Sequence, residues 1–246
     1  MQKQHETTGV YSNRQIFESI ESGNIVCTPF NPAHVNGTSV DVTLGYNFYR
    51  TDQNTKNRGL YNPYDEEDVK RYFGDPLEAE PLKDLGYLRN ALGIRALANI
   101  SQDQPTIILR PGERILAHTH EFIGIKNGTS SMQARSTTGR NGVAVCVDAG
   151  WGDPGYINRW TMEILNLNER EHVPLLVGGR IAQLVFYHTG TIDGEYSGLS
   201  GKYQTKSSDN LDEIIAAWRP KQMLPKAHKD NVRPPVAIAN LAKGIK

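Results

Sequence analysis

The chain has 246 residues, enough for one large domain or for a domain with appendages. Lysine plus arginine and aspartate plus glutamate both number 27, and this zero net charge argues against a protein that works by coating nucleic acid. Residues 1–10 are polar and no run reaches the roughly 18 apolar residues of a membrane span, so the expectation is a soluble, cytoplasmic protein that acts away from membranes.

Residues 12–22 read as a short amphipathic helix with Ser12 as N-cap, Ile16, Phe17 and Ile20 on one face, and Gly23 as its stop. Short strands are expected at 25–28, 39–44 and 46–49. Residues 51–104, rich in Asn, Asp, Pro and Gly, read as an insertion on a β-core, with helices over 66–73 and 82–92. Strand signals then recur at 106–109, 114–119, 122–126, 142–147, 159–167, 172–176 and 181–188, separated by Gly, Pro and Asn turns. This spacing predicts a mainly β, antiparallel sandwich or barrel rather than a βαβ sheet. A Gly- and Ser-rich segment runs to residue 209, followed by a helix over 211–218 and a Pro- and Lys-rich tail from 219 to 246.

Cys27 and Cys146 are the only cysteines, and each sits in an apolar, strand-like context that suits a small buried hydrophobe better than a disulfide. A zinc-dependent cytidine deaminase needs a His/Cys-x-Glu segment and a Pro-Cys-x-x-Cys pair, and the sequence has neither.

Four segments carry chemistry. Arg135, Ser136, Thr137, Thr138, Gly139 and Arg140 put two guanidinium groups, three hydroxyls and a flexible glycine into six residues. A polyphosphate wants converging donors and neutralising arginines, which this turn supplies, although a solvated polar hairpin uses the same residues. Asp153-Pro-Gly-Tyr156 suits a tight turn, and its acid also suits a metal or a sugar. As a strand, residues 160–165 place Trp160, Met162 and Ile164 on one face and Thr161, Glu163 and Leu165 on the other. Glu163 is then a lone half-buried acid, fit either to pair with an arginine across the sheet or to transfer protons. Lys202 lies in a Gly/Ser-rich segment, where a cation can close over phosphates or stand in solvent. His118 and His120 share a strand face but lack partner ligands, and read as surface or interface histidines.

These segments resemble the dCTP deaminases of the dUTPase-like superfamily. The resemblance rests on Ser136-Thr-Thr-Gly-Arg-Asn-Gly142, Ala149-Gly-Trp-Gly-Asp-Pro-Gly-Tyr156 and Thr161-Met-Glu163. Val40-Asp-Val-Thr-Leu-Gly45, Gly179-Arg-Ile-Ala-Gln-Leu184 and Gly201-Lys-Tyr-Gln204 flank them in family order. It covers roughly residues 10 to 206, leaving 207–246 as a C-terminal helix and tail outside the domain.

The resemblance implies a dUTPase-like antiparallel β-barrel or distorted jelly roll with a few peripheral helices. It also implies a homotrimer whose active sites lie between subunits, and zinc-independent hydrolysis of dCTP to dUTP and ammonia with Mg²⁺ on the triphosphate. Glu163 takes the catalytic position, where ordinary dUTPases carry an apolar residue; Ser136 and Arg140 assist it, and the Ala149 carbonyl positions the water. Arg135, Thr137, Thr138 and Gly139 belong to the phosphate turn, Asp153 faces the sugar, and Tyr156 packs on the deoxyribose. Thr161 and Met162 accompany Glu163 in the substrate strand, while Tyr196, Lys202 and Lys206 belong to a C-terminal flap. Lys206 stands where the family usually has Gln, Asp148 where a neutral residue is usual, and Gly152 where Ile is usual. Three other readings stay open: a bifunctional enzyme releasing dUMP and pyrophosphate, a dUTPase without deaminase activity, and a silent nucleotide-binding regulator. With the flap as closure, truncation before residue 201 is expected to cost more turnover than truncation after 209.

Overall fold

Ser12 caps the first helix as its sequence suggests. The hydroxyl accepts from Gln15 N, and the Gln15 side chain accepts from Ser12 N, a reciprocal capping box. The computed structural model describes residues 9–51, 59–146, 149–190, 201–205 and 210–230. Its elements begin with α1 (Asn13–Glu21), β1 (Ile25–Thr28), β2 (Ser39–Arg50), α2 (Glu66–Phe73), β3 (Leu77–Glu78), β4 (Glu80–Pro81) and α3 (Gly86–Leu92). They continue with β5 (Pro105–Leu109), β6 (Arg114–Ile125), β7 (Thr129–Ala134), α4 (Ser136–Arg140), β8 (Val143–Val145), β9 (Trp151–Gly152), β10 (Ile157–Asn166), β11 (Val173–Leu176), β12 (Arg180–Tyr187) and α5 (Leu211–Ala217). A 3₁₀ turn at Pro220–Met223 follows α5.

The architecture is mainly antiparallel β with a few helices. One sheet runs β8-β10-β6-β2-β12-β7-β9, with β1 also on β6 and β3 on β2, and a second runs β11-β5-β4. All the pairings between these strands are antiparallel.

Two pairs of expected strands are each one continuous strand. The segments 39–44 and 46–49 join through Gly45 into β2, and 114–119 and 122–126 join through His-Glu into β6. Both joins lie where β6 shifts register against its neighbours, between Leu44 and Phe48 on one side and Arg159 and Thr161 on the other. There the buried Glu121 carboxylate accepts from Thr43 N at 2.9 Å and from Thr43 Oγ1 at 2.7 Å. His118 is buried too, correcting its reading as a surface or interface residue. Its ring occupies the space a side chain at Gly45 would need, its Nδ1–H points to Thr119 O at 2.8 Å, and its Nε2 accepts from Asn47 N at 3.2 Å. Burial pulls its pKa down to about 4. Strand β7 (TSSMQA) has no apolar alternation to announce it, yet Thr129, Ser130 and Met132 are buried by β12 and β9.

The main core is formed by inward residues such as Val40, Val42, Ile115, Ala117, Ile123, Trp160, Met162, Ile164 and Leu184. A second apolar cluster lies elsewhere. Tyr49, Leu116 and Phe122 from β2 and β6 pack with Val69 and Phe73 of α2 and with Ile214, Trp218 and Met223. The expected insertion and the expected tail thus meet over the outer side of the β6–β10 region. Both cysteines are free thiols, and burial raises the pKa of each to about 12.

Candidate active site

From Asn158 to Asn166, strand β10 alternates between buried and half-buried residues. Trp160, Met162 and Ile164 face the core, and Arg159, Thr161 and Glu163 face outward. Cross-strand register places Glu163 beside Leu116, Thr161 beside His118, and Arg159 beside Phe122 on that outer surface. A pocket of about 350 Å³ opens there, lined by Glu163, Thr161, Asp153, Tyr156 and Ala149 together with Leu116, Trp151, Trp160, Tyr203, Met223 and Pro225.

Its parts are held by local chemistry. Asp153 to Tyr156 forms a tight turn, closed by Tyr156 N donating to Asp153 O at 3.0 Å, with Gly155 at φ +84°. Tyr156 meets Trp160 edge-on with ring centres 5.3 Å apart, and the Trp160 indole N–H donates to Ile123 O at 2.9 Å. Gly152 is required here, because a Cβ would overlap the Trp160 ring. Behind Glu163, Cys146 N donates to the Glu163 carbonyl at 3.1 Å and fixes β10 from the β8 side.

Arg135, Thr137 and Thr138 line a different hollow, of about 230 Å³, with Asn141, Arg180 and the strand ends at Leu175 and Ile181. The expected polar turn is in fact a short helix, α4, entered from an extended Arg135. Arg135 Nε and Arg180 Nη1 each stand 3.1 Å from the buried Asp41 carboxylate, and Thr138 Oγ1 donates to Ile181 O at 2.9 Å. Ser136, Thr137, Gly139 and Arg140 are exposed. Within one chain, Glu163, Thr161, Asp153, Tyr156 and Ala149 line one hollow, and Arg135, Thr137 and Thr138 line another.

The other site residues expected from sequence are placed as follows. The Met162 side chain points into the core, fully buried and opposite to Glu163, so any contact it makes with a substrate is through its backbone. Lys202 is ion-paired with Asp230. Tyr196, Lys206 and Asp148 lie outside the described residues. Among the described residues no group of three or more His, Cys, Asp or Glu side chains gathers as a metal site, and no helix is long and apolar enough to cross a membrane.

The model of the dCTP deaminase-like family matches residues 10–189. The chain belongs to the dCTP deaminase-like family. A relative from Methanopyrus kandleri, named dCTP deaminase, dUMP-forming, is 30% identical over 203 residues, covering 79% of this chain and 90% of the relative. One from Methanosphaerula palustris with the same name is 30% identical over 199 residues, covering 80% and 91%. Among solved structures, the 2′-deoxycytidine 5′-triphosphate deaminase from Agrobacterium tumefaciens aligns with a TM-score of 0.49 at 17% identity over 76% of this chain; this chain spans about half of that one, 51%.

The family match stops before the segment that supplies Tyr203, Met223 and Pro225 to the pocket. Sequence reading quoted Tyr203 only as part of a motif, and it missed Met223, Pro225, Leu116 and Trp160 as lining. The signal for the tail lies in Ile214, Trp218 and Met223, which are large apolar residues in the segment after residue 210 and are all buried. Asn158 also went unnoticed: its Nδ2 donates to Tyr203 O at 3.0 Å and its Oδ1 accepts from Thr205 at 3.0 Å, pinning residues 203–205 beside the pocket.

Proposed function

We propose that the protein hydrolyses dCTP at C4, releasing ammonia, with Glu163 as the proton-transfer group and without zinc. The observation that carries this reading is a carboxylate on the outer face of β10, lining a largely apolar pocket shared with Asp153, Tyr156 and Ala149. Water beside Glu163 and the Ala149 carbonyl loses its proton to the carboxylate as it attacks C4. Glu163 returns that proton to N3. Glu163 then carries the remaining proton of the C4 hydroxyl to the amino group, so that the C4–N bond breaks, ammonia departs and the C4 carbonyl of uracil forms. Tyr156 packs against the deoxyribose, and Asp153 faces the sugar from the tight turn.

The phosphates would meet Ser136, Arg140, Arg135, Thr137, Thr138 and the Gly139 backbone. In one chain Arg135, Thr137 and Thr138 line a hollow separate from that of Glu163, which supports a homotrimer in which one subunit's 135–140 segment meets its neighbour's Glu163 pocket. Arg135 would exchange part of its Asp41 pairing for phosphate oxygens, and Lys202 would do the same with Asp230. Magnesium enters as the counter-ion of the triphosphate, and a cytoplasmic nucleotide pool supplies the substrate.

A second reading, continued hydrolysis to dUMP and pyrophosphate, is favoured by the names of the relatives from M. kandleri and M. palustris. Incubation with dCTP and with dUTP, each with Mg²⁺, followed by nucleotide separation and assays for ammonia and pyrophosphate, tests both. Ammonia with dUTP as end product supports deamination alone, and ammonia with dUMP and pyrophosphate supports the bifunctional enzyme. Pyrophosphate from dUTP without ammonia from dCTP overturns the deaminase assignment.

A further inference from the structure

The outer surface of β6 and β10 is roofed by residues 210–225, which lie beyond the family match and far from Glu163 in sequence. The roof is docked at two points. Trp218 lies over the Arg159 guanidinium with its ring centre 4.8 Å from Cζ, while Phe122 lies 4.9 Å from the same atom, so the half-buried cation is held between two rings. Trp218 also packs on the neutral His118 ring at 4.6 Å. Beyond Trp218, the 3₁₀ turn brings Met223 into the cluster that contains Leu116, the cross-strand partner of Glu163. Met223 and Pro225 then line the same pocket as the Glu163 carboxylate.

Resting on the deaminase reading of this pocket, we propose that Met223 and Pro225 determine specificity by setting the space beside the C5–C6 edge of the bound pyrimidine, with Trp218 as the positioning residue that holds them there. The argument is one of chemical matching. Glu163 and Thr161 offer polar side-chain atoms to the pocket, and the side chains of Leu116, Met223 and Pro225 in the same lining offer no strong hydrogen-bonding group. Of the edges of a cytosine ring, the one bearing O2, N3 and the 4-amino group must meet hydrogen-bonding partners. Only the C5–C6 edge can face an apolar wall without stranding a polar group. Substituents at C5 therefore press on Met223 and Pro225, and the wall decides which cytosine nucleotides enter.

The test compares kcat/KM for dCTP and 5-methyl-dCTP in the full-length protein and in Met223→Ala. One methyl group against a closed hydrophobic wall changes efficiency by roughly 10–200-fold. The variant should therefore shift the 5-methyl-dCTP to dCTP ratio at least about tenfold toward the larger substrate. Pro225→Ala should move it the same way and serves if Met223→Ala does not fold by circular dichroism. Trp218→Ala should shift the ratio and Trp218→Phe should restore it, which a loss of stability alone would not do. A ratio within twofold of the parent in folded, active Met223→Ala and Pro225→Ala overturns the proposal and leaves the deaminase reading standing. If the parent protein deaminates neither nucleotide, that reading fails. Calorimetric affinities of the same two nucleotides then give the same ratio, and the same twofold limit decides the wall.

Discussion

The two faces of β10 carry one strand's residues into different surroundings. Trp160, Met162 and Ile164 point into an apolar core built from the sheet itself. Thr161 and Glu163 line a cavity shared with Tyr203, Met223 and Pro225, and Arg159 lies between the Phe122 and Trp218 rings. The inner face rests on alternation and volume, and its buried Asn166 is satisfied by donating to the Leu109, Arg110 and Glu171 carbonyls. The outer face keeps an acid, a hydroxyl and a guanidinium at intermediate exposure, because its cover is a thin layer of aromatic and apolar side chains. Fold stability and the proposed proton chemistry are thus separated by the thickness of a single strand.

The sharpest way to break this comparison is Glu163→Gln. The amide keeps the shape but cannot accept the water's proton, so deamination should fall by about 10²–10⁴ while the melting temperature stays close to the parent's. Near-parental ammonia release would remove Glu163 from the chemistry. On the other face, Ile164→Ala should cost about 2–5 kcal/mol of unfolding free energy by leaving a cavity in a fully buried site. Chemical denaturation measures it, and a cost under 1 kcal/mol would mean that the inner face is not the rigid support described here.

Truncation after residue 209 addresses the cover itself. It removes Ile214, Trp218 and Met223 and exposes Tyr49, Leu116 and Phe122. Each buried side chain contributes about 1.5–3 kcal/mol, and the freed chain recovers much of that as entropy, so the expected net loss is roughly 1–3 kcal/mol. Activity should fall together with stability, as it should for truncation before residue 201. This differs from the expectation drawn from sequence, because the pocket wall lies beyond residue 209. Activity equal to that of the full-length protein would show the cover to be dispensable.

The smallest effect is a pH slope. His118 titrates near 4 when folded and near 6.5 when unfolded, so the unfolded chain binds the extra proton first. Its contribution to stability is intact above pH 6.5 and declines as pH falls from there toward 4, by at most about 1.4 kcal/mol per unit. Melting curves at pH 7, 6 and 5 should show a shallower decline in His118→Gln than in the parent. Equal slopes would mean that the ring is not held neutral beneath Trp218.

Properties confined to a segment were legible in the sequence by itself. The Ser12 cap, the limits of β1 and α2, the turn at Asp153 and the alternation that separates Glu163 from Met162 all follow from local periodicity and side-chain chemistry. The ordered motifs also identified the family, and with it the mainly antiparallel β fold. Tertiary structure decided what depends on neighbours distant in the chain. Strands broken in sequence by Gly45 and by His-Glu run through, because His118 fills the space at Gly45 and Thr43 satisfies Glu121. A polar segment becomes β7 because two strands supply its hydrogen bonds. Arg135, Thr137 and Thr138 line a different hollow from Glu163 within one chain, and Met223 and Pro225 of the tail join the lining of the Glu163 pocket. Periodicity records which way a side chain points, and burial depends on what the rest of the chain places over it.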